Sequence, residues 1–217
     1  MLTRMLCIVT LSSFISACDS EDLETANFGS SLYKNDYTLI NATNSEIDFH
    51  MANTEIAGDE RDVSSNKYYI ETLASGDEPT TIRHEHNVGY KISFYVQEHS
   101  KASRHHKKQF KVKNDQDYHF IAWQEQDALR LSLMKNQTNN KPDFFAVRFL
   151  ATESMTLMVN KQPLIMAKGE ISLWRHVDDC NDDIKINDET LSICHTSYGN
   201  SYTFVIDKSG IKATINE

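Results

Sequence analysis

The 217-residue chain carries none of the compact motifs that mark common catalytic machinery. It has no G-x-S-x-G elbow, no H-E-x-x-H, no phosphate-cradling P-loop and no C-x-x-C. An enzyme is therefore not expected, and no cofactor is implied, although a triad built from distant residues needs no local motif. Helical periodicity is also missing: no stretch of ten or more residues repeats its apolar positions every 3.6, which excludes a helical fold class. No apolar run reaches the ~20 residues that cross a bilayer. Positive charge is in short supply, with 22 Lys and Arg against 31 Asp and Glu and a net charge of -9. Such a chain repels polyanions as a whole, so a nucleic-acid partner is excluded at the domain level. Cysteine is scarce, with four in all, at positions 7, 18, 180 and 194.

What is there begins with a secretory layout over residues 1–17. Met1 to Arg4 form a short basic start, Met5 to Phe14 an apolar core, and Ser16-Ala17 a small-residue exit. The segment Ile15-Ser16-Ala17-Cys18 resembles the lipobox of bacterial lipoproteins, which implies that Cys18 becomes the lipidated first residue of the mature chain. Each buried CH₂ adds ~0.8 kcal/mol, so two or three acyl chains anchor stably where one would not. The expected location is the cell envelope, on its extracytoplasmic side, with the membrane as a partner through that lipid. Asp19 tilts the destination toward the inner membrane rather than the outer. Residues 18–35 are polar and acidic and suit a flexible tether, with a root-mean-square reach of ~20 Å. Of the cysteines, Cys7 leaves with the signal and Cys18 carries lipid. Cys180 and Cys194 remain, and in an oxidising envelope they are expected to form a disulfide.

From Asp36 onward the apolar residues alternate. Ile47, Phe49 and Met51 share a face, as do Tyr90, Ile92, Phe94 and Val96, and Leu129, Leu131 and Leu133. Period-two alternation of this kind marks half-buried strands of antiparallel sheets. The second half repeats the first. Tyr37 to Thr43 followed by Ile47, Phe49 and Met51 returns as Ala146 to Thr152 followed by Met155, Leu157 and Val159. The hairpin from Asp117 through Leu133 returns from Ser201 through Ile215, with Ile211, Ala213 and Ile215 in the places of Leu129, Leu131 and Leu133. The expected fold class is all-β: two tandem antiparallel β-sandwiches of immunoglobulin-like type. The first spans 36–135, the second and shorter one 144–217, and a polar linker closed by Pro142 fills 136–143.

Asn41-Ala42-Thr43 with Ile47-Asp48-Phe49, then Tyr90 to Val96, Phe110, Val112 and the hairpin from Tyr118, resembles a bacterial domain-of-unknown-function family. Its members are tandem β-sandwiches on secreted and lipid-anchored surface proteins. The resemblance covers residues 36 to 134 and, more loosely, 144 to 217. It implies fold and location but carries no activity.

Few residues could hold chemistry. His84 and His86 place two imidazoles on one face of an extended segment, the spacing by which a strand supplies two metal ligands, with His99, His105 and His106 nearby in sequence. Asp179, Asn181 and Asp183 alternate like the oxygens of a calcium loop, but Ile184 stands where that loop needs glycine. A solvated acidic loop pinned by a disulfide is the better reading of them. His176, Cys180, Cys194 and His195 could be a zinc set, although adjacent Cys194 and His195 would point to opposite faces of a strand. Lys101, Arg104, His105, His106, Lys107 and Lys108 concentrate positive charge in an acidic chain. They are expected at the tip of a long hairpin loop, an anion-binding candidate for envelope glycan, lipid headgroup or a protein partner. The sequence thus points to a lipid-anchored envelope protein acting as a non-catalytic binding or structural module; the alternative is a periplasmic protein binding calcium or zinc.

Overall fold

The computed structural model describes residues 32–54, 61–87 and 91–217. Among these described residues sixteen strands form, in two sets of eight. The first set is β1 (Leu32–Ala42), β2 (Ile47–Asn53), β3 (Tyr69–Leu73), β4 (Thr80–Asn87), β5 (Lys91–Glu98), β6 (Lys101–Lys111), β7 (Tyr118–Glu125) and β8 (Ala128–Lys135). The second is β9 (Phe145–Ala151), β10 (Met155–Val159), β11 (Gln162–Met166), β12 (Arg175–Val177), β13 (Ile184–Ile186), β14 (Glu189–Thr190), β15 (Ser201–Asp207) and β16 (Gly210–Asn216).

The sheets run β4-β1-β7-β8 and β3-β2-β5-β6 in the first sandwich, and β12-β9-β15-β16 and β11-β10-β13-β14 in the second. Adding eight to every strand of the first sandwich gives the second. A chance likeness between two β-rich halves would not reproduce the strand order of both sheets, so the repeat is architectural. All pairings are antiparallel except β1 with β7 and its counterpart β9 with β15.

A shared corner confirms the correspondence. The backbone N–H of Lys113 donates to the hydroxyl of Tyr118 at 3.0 Å, and that of Ser197 donates to the hydroxyl of Tyr202 at the same distance. Each tyrosine thereby ties the start of its strand to the backbone five residues upstream, like the tyrosine corner of immunoglobulin sandwiches. The Asn41-Ala42-Thr43 motif also has a local cause. Asn41 Oδ1 accepts from the backbone N–H and hydroxyl of Thr43, while its amide donates to the carbonyls of Ser45 and Leu73. That one side chain closes the corner between β1 and β2.

Each sandwich has its own core. Tyr37, Leu39, Phe49, Phe94, Phe120 and Leu131 are among the residues filling the first, and Val147, Phe149, Leu157, Ile186 and Phe204 among those filling the second. A third apolar layer joins them: Ile40, Ala42, Ile121, Trp123 and Met134 from the first sandwich meet Leu150, Val205 and Ile215 from the second. The strands β1, β7, β9 and β15 are therefore covered on both faces, which is why β9 reads as an unbroken apolar run apart from Arg148. The four sheets stack as four layers with three apolar seams.

Three details depart from the sequence expectation. First, β1 begins at Leu32, inside the segment expected as tether, and Asn35 is fully buried. Second, register aligns the repeats one residue differently: Tyr37 faces Tyr118 and Val147 faces Tyr202, so Tyr37 corresponds to Val147 and not to Ala146. A one-residue slip exchanges the two faces of a strand, and only the pairing reveals it. Third, a bulge opposite Val205 and Ile206 turns Ala213 and Ile215 to the seam between the sandwiches while Ile211 stays on the second core.

Candidate functional site

The six-residue basic cluster is not a loop. Lys101 to Lys111 form β6, the last strand of its sheet among the described residues, and only His99 and Ser100 separate it from β5. Period-two geometry therefore splits the charges between two faces. His106, Lys108 and Phe110 lie opposite Val96, Phe94 and Ile92 on the core side. His105 and Lys107 lie opposite Gln97 and Tyr95 on the outer side. The Lys108 ammonium sits 4.9 Å from the Phe110 ring centroid, so its stem covers the rim of the core while its head stays in water. His105 stacks on Tyr95 with 5.5 Å between ring centroids, and Lys107 donates to the carbonyl of Arg61.

Arg104 differs from its neighbours. It donates to Glu98 at 2.6 Å and twice to the carbonyl of Asp127, which ties β6 to the turn between β7 and β8. Glu98 is 7% exposed at its side chain, so Arg104 neutralises a buried carboxylate. Lys101 reaches the same carboxylate at 4.0 Å. Burial, with the nearby Arg130, Lys108 and His105, pushes His106 below the usual histidine range. From Lys101 to Lys113 the chain has six Lys or Arg and no acidic residue, and five of the six, all but Arg104, are exposed.

His84 and His86 do share the inner face of one strand, β4. His84 donates through Nε2 to Asn53 Oδ1 at 2.7 Å, bridging the two sheets. His86 is buried with Nε2 3.4 Å from the Asn35 amide nitrogen. Burial, with the neighbouring His86, pushes His84 down to about 4. The other three histidines are elsewhere: His99 pairs with Asp48, and His105 and His106 lie on opposite faces of β6.

The acidic loop holds itself together. Asp179 Oδ1 accepts from the backbone N–H groups of Asn181 and Asp182, Asp183 Oδ2 from those of Asp178 and Asp179, and Asn181 Oδ1 from the Ser192 hydroxyl. These oxygens cap backbone donors instead of converging. Cys180 and Cys194 are joined in a disulfide, so the two sulfurs are not zinc ligands. His195 bonds Thr214 and His176 lies beside Asn139, so the histidines of that set are also apart. Among the described residues no three His, Cys, Asp or Glu side chains group to hold a metal ion.

Sequence reasoning missed a buried polar cluster between the sandwiches. Glu217 accepts from His119 at 3.1 Å, from Arg148 at 2.7 Å, from the Thr203 hydroxyl and from the backbone N–H of Gln137. Arg148 also donates to Thr203 and to the carbonyl of Lys135. The available signal was a lone arginine inside the apolar run Phe145 to Ala151, since a charge in a buried strand requires a partner. The expected linker is likewise pinned, with Asn139 N–H on the Ser201 hydroxyl and that hydroxyl on Asn140.

A cleft of about 390 Å³ where the sandwiches meet is lined by Glu125, Glu153, Lys168 and Asp207, among others. Its carboxylates are paired, Glu125 with Lys168 and Arg130, Glu153 with Lys208, and Asp207 with Lys212. The signal segment, Cys18 and Asp19 lie outside the described residues. No protein-family model matches the chain, and no curated protein matches it.

Proposed function

We propose that the protein is a lipid-anchored, extracytoplasmic component of a bacterial envelope that acts as a non-catalytic binding module, with β6 as its binding surface for anionic envelope material. One observation carries the reading: a chain of net charge -9 places five Lys or Arg and no acid along one strand that lies at the edge of its sheet among the described residues. Spreading them evenly would have served solubility as well. Lysines on an edge strand also discourage sheets from joining edge to edge, and that role alone would need no ligand. Phosphate- or carboxylate-bearing polymers fit the surface because exposed ammonium groups attract any dense anion.

The test replaces the exposed Lys101, Lys107 and Lys108 by glutamate in lipid-free protein and measures binding to anionic vesicles and, separately, to purified envelope glycans. The parent is expected to bind one of the two, less tightly as salt rises because surface charges are screened within about 10 Å at 0.1 M. Equal binding by parent and variant at every salt concentration would remove β6 from consideration. The anchor is tested separately: Cys18→Ala should abolish lipid labelling, and continued acylation would overturn the lipoprotein reading.

A further inference from the structure

Cross-strand charges at one end of the first sandwich are arranged in two opposite ways. Between β1 and β4, Lys34 lies opposite Glu85 and Asp36 opposite Arg83, and the two pairs are closed at 2.8 and 2.7 Å. In the facing sheet, Lys91 of β5 lies opposite Lys111 of β6. Ile92 and Phe110, next to them along each strand, pack on the core, so the two exposed lysines share the outer face. Side chains of directly opposed residues start about 5 Å apart, and like charges so placed destabilise a sheet. Among the described residues neither lysine has an ion-pair partner. Protection of a sheet edge does not account for Lys91, since β5 is flanked by β2 and β6.

Lys113 joins them. It follows the buried Val112 and is exposed, with its backbone N–H donating to the Tyr118 hydroxyl at 3.0 Å and its carbonyl accepting from the buried Asn35 amide at 2.7 Å. In the second sandwich Ser197 makes the same corner contact, so the corner needs a backbone N–H and not a cation. The carboxylates that follow are engaged elsewhere: Asp115 accepts from the Asn114 amide, and Asp117 from the backbone N–H of Asp36.

The chain enters the sandwich at this same end. Leu32, the first residue of β1, lies opposite Asn87 at the end of β4, and Asn35 reaches Lys113 where β6 has just ended. On the reading that Cys18 carries lipid, on which this inference rests, fourteen residues separate the bilayer from Leu32. Fully extended they span at most about 50 Å. A lipid on so short a segment keeps this end close to the headgroups, where contacts too weak to recruit a free protein suffice.

We propose that Lys91, Lys111 and Lys113 form a contact site for the phosphates of anionic lipid headgroups, which seats the first sandwich on the membrane by the end where β1 begins. An anion among the three ammonium groups relieves their repulsion, and lysine meets phosphate as a point charge without needing a fixed geometry. Lys101, at the other end of β6, stands ten residues from Lys111, about 33 Å along an extended strand. That is well beyond the roughly 10 Å over which exposed charges act at 0.1 M salt. The two ends of β6 are therefore separable by experiment.

The experiment measures cosedimentation of lipid-free protein with vesicles of phosphatidylglycerol and phosphatidylcholine, and with vesicles of phosphatidylcholine alone. The proteins are the parent, Lys91→Gln/Lys111→Gln/Lys113→Gln and Lys101→Gln/Lys107→Gln/Lys108→Gln. The parent should bind only the vesicles that contain phosphatidylglycerol. A lysine close to an anionic surface is worth roughly a factor of five, so the first triple variant should bind about 100-fold more weakly and the second less than about tenfold. Lys111→Gln alone should lose about fivefold, which keeps the test open should the triple variant not fold. No binding of the parent to phosphatidylglycerol, or an equal loss in both triple variants, overturns the site. A loss confined to the second variant overturns it too, while leaving β6 as the surface proposed above. Binding of polygalacturonate tighter than that of vesicles, and lost in the first variant, would assign the cluster to an acidic glycan and overturn the headgroup site. The protein is lipid-free throughout, so failure of the Cys18 test and failure of this one are read separately.

Discussion

His119 of the first sandwich donates to the carboxylate of Glu217 across 3.1 Å, with side chains 2% and 0% exposed. Arg148 of the second sandwich shares that carboxylate, so an acid, a base and an arginine are buried together at the seam. Removing one partner of a buried pair leaves a charge uncompensated, which typically costs about 3–5 kcal/mol. Glu217→Ala should destabilise the protein on that scale, read as a lowered urea midpoint. A loss below about 1 kcal/mol would show that water reaches Arg148 freely.

The same carboxylate makes a pH prediction. Burial pushes the Glu217 carboxyl up, but its bonds from His119, Thr203 and Arg148 together outweigh burial and hold it below the ordinary 4.5. A depressed folded value means that the unfolded chain takes up the proton first. The stabilisation is therefore complete above about pH 4.5 and is lost as pH falls through the folded value. In Glu217→Gln, stability should fall less steeply with acid over that window, measured by urea unfolding at successive pH values.

Arg104 separates the structural from the binding role of β6. Its partner Glu98 is buried, so Arg104→Ala strands a carboxylate, which we expect to cost about 1–3 kcal/mol. Lys108→Ala, on an exposed residue, should stay within about 0.5 kcal/mol. Thermal unfolding of the two variants checks this. Acidification should strengthen anion binding only below the ordinary histidine value where His106 is concerned, because its surroundings disfavour its charge.

Strand-scale features were legible in the sequence, and features set by pairing were not. Leu129, Leu131 and Leu133 all pack on the first core, as alternation requires. Alternation cannot say whether the other face meets water or a second sandwich, so Ile40, Ile121 and Val205 gave no warning of a third seam. The basic stretch misled because Lys, Arg and His suggest a solvated loop. An edge strand is solvated too, and β5 supplies its ladder regardless of side-chain charge. The His84 and His86 pair was visible as spacing, but Asn35, Tyr37 and Asn53 join it only through sheet register and packing.

The disulfide compensates for short strands. β12, β13 and β14 have three, three and two residues where β4, β5 and β6 have eight, eight and eleven. Little ladder holds that part of the second sandwich, and Cys180 with Cys194 closes it across 14 residues of sequence. A loop of this length is worth about 3 kcal/mol in the unfolded chain. Cys180→Ser/Cys194→Ser should lower stability by about that amount, measured by denaturant unfolding of oxidised parent and variant.

The tyrosine corners can report whether the seam makes the two sandwiches one cooperative unit. Tyr118→Phe and Tyr202→Phe each delete one hydroxyl that accepts a backbone N–H, at a cost of about 1 kcal/mol, and the sites sit in different sandwiches. If the halves unfold independently, each change shifts only its own transition. The apolar seam and the buried Glu217 cluster predict otherwise: one transition, moved by either change, with the double variant losing the sum because distant sites add. Adding Glu217→Ala to either variant should weaken that coupling and split the transition in two. Calorimetric scans of the parent, both single variants and the combination decide it. Two separate transitions in the parent itself would mean that the seam holds the sandwiches together without coupling their stability.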